Sequence, residues 1–175
     1  MSRVVTFAAQ DSWAVAPDGW VAVVRAAPYR VEWFPPSGPA IVGTAIAHQP
    51  IPVTERDKQA VRREFAAMMA SAAPSATVNG KQVRPPSVEP EFAPTKPAAT
   101  GRVILIDKRG QLWVERNQGA GATTALFDVI DRTGAVVDRV ALPASLRVVG
   151  FDRNAIYATR TDENDVVHLQ RFAFP

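Results

Sequence analysis

The 175 residues are 47% hydrophobic and 21% charged, which suits a single folded domain and excludes a disordered chain. With no cysteine and only two separated histidines, His48 and His168, disulfides and thiolate chemistry are excluded and a histidine-built metal site is disfavoured. No apolar run reaches the roughly 20 residues of a membrane span, and the 20 Lys and Arg behind a net charge of +3 are scattered, giving no pointer to nucleic acid.

In chain order, residues 3–9 (RVVTFAA) suit one short strand, and the opening MSRVVTFAAQD turns polar too soon for a signal peptide. Ser12 to Ala16 is a second strand, closed by the turn Pro17-Asp18-Gly19. Trp20 to Arg25 follows, then Tyr29 to Phe34 with period-2 alternation, the turn Pro35-Pro36-Ser37-Gly38, and Ile41 to Ala47. The spacing predicts a four-stranded antiparallel meander. Residues 48–101 interrupt it with a helical and Pro-rich insertion. Thr54 caps a helix over Asp57 to Ala73, with Asp57 reaching back to the cap, and residues 74–97 are read as irregular. The insertion is read as a helix packed on the sheet edge, or as a lid or docking element.

Regular structure resumes at RVILIDKRGQLWVERN, Arg102 to Asn117. Its strands are Val103 to Ile106 and Leu112 to Glu115, followed by Ala125 to Ile130 and Val136 to Leu142. A third unit runs through Leu146 to Gly150, Ile156 to Thr159 and Val166 to Phe172, and stops one strand short. The turn residues Asp107 and Asp152 lie 45 positions apart, about the length of one propeller blade. Adding residues 3–9 to the third unit completes three four-stranded blades.

Three segments, FAPTKPAATGRVILIDKRGQLWVERN (92–117), ALFDVIDRTGAVVDRVALP (125–143) and LRVVGFDRNAIYATRTDENDVVHLQRFAF (146–174), resemble bacterial six-bladed β-propeller proteins related to NHL-type propellers. The resemblance implies an all-β fold of three four-stranded antiparallel blades, half of a six-bladed ring, as one domain over 1–175 with one inserted helix. It says nothing of activity. Three blades expose a large apolar surface at each end, so two copies closing one ring as a homodimer are expected, or else the C-terminal half of a longer protein. In the latter case the compartment would be periplasmic or secreted.

Aligning the repeats on Gly19, Gly110 and Asn154 places Arg25, Arg116 and Arg160 six positions later, and Ala22, Trp113 and Tyr157 three positions later. Arg25, Arg116, Arg160, Trp113 and Tyr157 are the candidate ligand-binding residues, since guanidinium groups at one end of the sheets suit a carboxylate, phosphate or sulfated ligand. The structural alternative makes the arginines repeated salt bridges to Glu115, Asp162 or Glu163, and Trp113, Tyr157, Trp13 and Trp33 packing residues. No catalytic set, resident metal or cofactor is read from the chain. Arg102 and Arg147 oppose a channel cation near Asp11, and Asp162-Glu163-Asn164-Asp165 reads as a solvated hairpin tip. The expected function is non-catalytic binding of a protein, a small anion or a polysaccharide, with a propeller-type hydrolase or lyase holding a channel metal, or a fragment without independent function, as alternatives.

Overall fold

A recurring aspartate turn shapes the sheets. In Asp-Lys-Arg-Gly at 107–110, the Asp107 carboxylate accepts the N–H groups of Arg109 (2.8 Å) and Gln111 (3.0 Å), while Gly110 takes φ +78°. Asp131 does the same for Thr133 and Ala135, with Gly134 at φ +82°. Asp162 repeats it for Asn164 and Val166, and Asp165 takes the left-handed position at φ +61°. The acidic run 162–165 is therefore a third copy of the same hairpin turn, with a side chain in the place that glycine fills elsewhere.

The computed structural model describes residues 5–71, 76–78, 81–83 and 90–174. After β1 (Val5–Thr6) come β2 (Ser12–Val15), β3 (Val21–Ala26), β4 (Tyr29–Phe34) and β5 (Ile41–Val42), which form a four-stranded antiparallel meander, here sheet 1. β6 (Ile51–Pro52) leads into the helix α1 (Glu55–Ser71). Next are β7 (Ala76–Val78), β8 (Lys81–Val83), β9 (Glu91–Phe92) and β10 (Thr95–Lys96). Sheet 2 is β11 (Ala99–Ile106), β12 (Leu112–Arg116), β13 (Thr124–Ile130) and β14 (Val136–Pro143). Sheet 3 is β15 (Arg147–Asp152), β16 (Ala155–Thr161) and β17 (Val167–Ala173). The described residues are thus mostly β, with several antiparallel sheets and one helix. Among the described residues no helix is long and apolar enough to cross a membrane.

Several expectations change. Of the strand expected over 3–9, residues 3 and 4 lie outside the described residues, and the rest does not join the third sheet: β1 pairs in parallel with β9 (Val5 opposite Glu91), Phe7 leaves the strand at φ +63°, and sheet 3 keeps three strands among the described residues. The predicted strand 41–47 is regular only at Ile41–Val42. Beyond it, Gly43 N–H and Ile46 N–H still reach Val31 and Tyr29 carbonyls, at 2.9 and 2.7 Å, without a continuous ladder. The stretch read as irregular carries short ladders, β7 with β8 and β10 with β6. The helix cap is as expected. Thr54 N–H donates to Asp57 at 2.9 Å, and Asp57 N–H donates to Thr54 Oγ1 at 3.3 Å.

The three sheets stack in chain order. Ala22, Val24, Tyr29, Val31 and Trp33 of sheet 1 pack with Leu112, Val114 and Ile130 of sheet 2. The other face of sheet 2, through Val103, Trp113, Phe127 and Val129, packs with Val148 and Ile156 of sheet 3. Strand alternation sends neighbouring residues to opposite cores, so β12 reads Leu-Trp-Val with all three buried. Sheets 1 and 2 are also fastened by polar bonds. Trp33 Nε1 donates to the Asp131 carbonyl at 2.8 Å, and Arg132 pairs with Asp18 at 2.6 Å while lying over the Trp20 ring. At Gly43 and Gly134 the two backbones meet so closely that a Cβ on either would overlap the other's main chain.

Candidate functional site

The register of each sheet sets a diagonal partner for its repeated arginine. Val23 faces Glu32 across β3 and β4, Val114 faces Asp128 across β12 and β13, and Ala158 faces Gln170 across β16 and β17. Arg25, Arg116 and Arg160 each lie two residues beyond the first member of these pairs. The arginine position thus recurs in all three sheets, while the arginine–carboxylate clamp is made in sheets 1 and 2.

Its chemistry differs in each sheet. In sheet 1, Arg25 Nε donates to Glu32 at 2.8 Å and Nη1 to Asp11 at 2.7 Å, while Arg30 holds the other Glu32 oxygen at 2.6 Å. These guanidinium hydrogen bonds hold the Glu32 and Asp11 carboxyls below the usual carboxylate range, the bonds from Arg25 being the largest cause for both. In sheet 2, Asp128 is 1% exposed and accepts from Arg116 Nη1 (2.8 Å), Arg139 Nε (3.2 Å) and the Tyr29 hydroxyl (3.0 Å). That hydroxyl comes from sheet 1, so the clamp also ties two sheets together. Burial, with the charge of Asp128 beside it, pushes the Tyr29 phenol strongly upward, keeping it a donor. In sheet 3 the carboxylate is replaced by Gln170, and Arg160 is exposed.

The five candidate binding residues therefore do not form one site. Arg25 and Arg116 are engaged in ion pairs, and those pairs are made with Glu32, Asp11 and Asp128 rather than with the neighbours in sequence. Glu115 instead accepts from Thr100 Oγ1 at 3.2 Å, and Asp162 contacts His168 Nε2 at 2.7 Å. Trp113 is removed from any ligand surface: it is 1% exposed, its Nε1 donates to Asp107 at 3.2 Å, and its ring meets Phe127, Phe151 and Phe174. Tyr157 is half-buried on the outward face of sheet 3, opposite Arg171.

Residues that sequence reading did not assign to a site complete the Arg116 clamp: Tyr29, Asp128 and Arg139. The ring of His48 stands edge-on to Tyr29 at 6.0 Å. A signal was present in ALFDVI, where Asp128 interrupts an otherwise apolar run and so reads as a buried carboxylate in need of cations. A second charged constellation sits at the start of the helix. Asp57 and Lys96 pair at 2.7 Å with both side chains under a tenth exposed, and Lys96 also donates to the Gln118 carbonyl at 3.0 Å. Burial alone would raise the Asp57 carboxyl, but the bonds from Lys96 and Thr54 outweigh it and lower it. The pair lines a polar cavity of about 720 Å³ with Ser12, Thr100 and Arg102, and its bonds are made internally. Among the described residues no three His, Cys, Asp or Glu side chains are placed to share a metal ion.

The class this architecture defines is a chain of stacked antiparallel β-meanders bound by arginine–carboxylate clamps. No family model, curated protein or solved structure matches the chain.

Proposed function

We propose that the chain is a non-catalytic binding and scaffold module of propeller type, half of a six-bladed ring that a second copy closes. The observation that carries this reading is the pair of open sheet faces at the two ends of the stack. On sheet 1, Trp13 (69% exposed), Val15, Phe34 and Val42 share the outward face with the Arg25–Glu32 clamp. On sheet 3, Leu169 (65% exposed) and Val167 share the outward face with Tyr157 and Arg171. Contiguous apolar surface of this kind is a mark of association.

The chain itself supplies the packing rule. The clamp-bearing face of sheet 2 receives sheet 1, and the equivalent face of sheet 3 receives sheet 2. Among the described residues nothing covers the clamp-bearing face of sheet 1 or the opposite face of sheet 3. Continuing the same rule seats sheet 3 of one copy on sheet 1 of another. Two such contacts related by a twofold axis close a ring, so the association ends at a dimer. The N-terminal strand has no part in this closure, because β1 pairs with β9. Binding of other molecules falls to the ends of the sheets, where the arginines lie.

Light scattering on the purified chain tests the ring. A mass near twice 18.9 kDa supports it. A monomer that stays soluble at high concentration overturns it.

A further inference from the structure

Where sheets 1 and 2 meet, the segment Ala47-His48-Gln49 and the ends of β12 to β14 enclose a recess of about 380 Å³. Its charged groups are Arg116, Arg139 and Asp128. Both oxygens of the Asp128 carboxylate are engaged, one by Arg139 and the other by Arg116 and Tyr29. Each guanidinium, by contrast, spends only one of its five N–H donors on Asp128. Arg116 Nε is buried without a hydrogen-bond partner among the described residues. Such an orphan donor is rare in folded proteins and calls for an acceptor. Arg139 is 65% exposed, so its remaining donors are open to a ligand. Leu126, 40% exposed, and Ala47 add an apolar wall, and His48 and Gln49 add polar rim.

Two guanidinium groups against one carboxylate leave a single net positive charge in the recess, apart from His48. We infer that this recess binds a small organic monoanion, a carboxylate joined to an aromatic or aliphatic body. The planar carboxylate matches the fork of Arg139, and the body lies on Leu126. A phosphate dianion fits less well, because it would leave an excess negative charge beside buried Asp128. The inference rests on the binding-module reading and gives that module a ligand class. Every lining residue belongs to one chain, so a monomeric mass would overturn the ring and leave this site standing, while absent anion binding would do the reverse.

The test is titration of the full chain with sodium benzoate, and separately with inorganic phosphate, followed by ¹⁵N-resolved NMR. Saturable binding of benzoate is expected, with movement of the Arg116 Nε–H resonance. Arg139→Gln should weaken it about tenfold or more, while Arg153→Gln, at an exposed turn of sheet 3, should leave it unchanged. Arg139 is exposed enough for its variant to fold, which an unchanged melting temperature checks. No benzoate binding, equal loss in both variants, or tighter binding of phosphate than of benzoate would each overturn the inference.

Discussion

At the scale of single residues, the same diagonal of arginine and carboxylate has different energetic weight in different sheets. Asp128 is sealed between two sheets and holds two guanidinium groups and a phenol, so Asp128→Ala leaves the largely buried Arg116 (18% exposed) without its counter-charge. We predict a loss of about 3–5 kcal/mol for this change, read by urea denaturation. Glu32 makes similar bonds, but Arg25 and Arg30 are 36% and 29% exposed and can turn to water. Glu32→Gln should therefore cost about 1 kcal/mol or less. The carboxyls of Asp11, Glu32 and Asp57 are all held below their ordinary range. A depressed carboxyl contributes stability above its unfolded-state pKa, near 4, and loses it as pH falls through the folded value. The urea midpoint should stay level from neutral pH to about 5 and then drop on further acidification. A midpoint that rises below pH 4 would contradict this.

At the scale of elements, β12 is the most constrained strand, because sheet 2 is covered on both faces. Leu112 and Val114 belong to one core, and Trp113 to the other. Trp113→Ala would open a cavity between sheets 2 and 3 and remove the Nε1 bond to Asp107, at a cost of about 3–5 kcal/mol. The Asp-x-x-Gly turns were legible because a carboxylate at the first position and a left-handed residue at the fourth are local requirements. The helix was legible for the same reason: its cap is closed by Thr54 and Asp57, three residues apart. The short ladders inside 74–97 were not legible, since two- and three-residue strands have no period to read.

At the scale of the whole molecule, two unlike sheet faces remain open at opposite ends of a stack whose interior joints repeat one rule. If a second copy covers them, a charge within one face should separate the copies without unfolding either. We predict that Leu169→Asp converts the dimer to a monomer in light scattering while changing the far-ultraviolet circular dichroism little. Leu169 is 65% exposed within one chain, so the monomer loses little packing by the change. A dimer that survives the substitution would place the contact elsewhere.

The sequence by itself determined most strands of the three meanders, their turns, the capped helix and the threefold recurrence of arginine, because each depends on residues close in the chain. Only the tertiary structure decided what those arginines do. Pairing across strands put Glu32, Asp128 and Gln170, rather than Glu115 or Asp162, diagonal to them. Stacking then buried Trp113, brought the Tyr29 hydroxyl to Asp128 across 99 positions and left Arg160 in solvent. Strand register and the order of sheets are set by burial over long separations, and neither has a local signature.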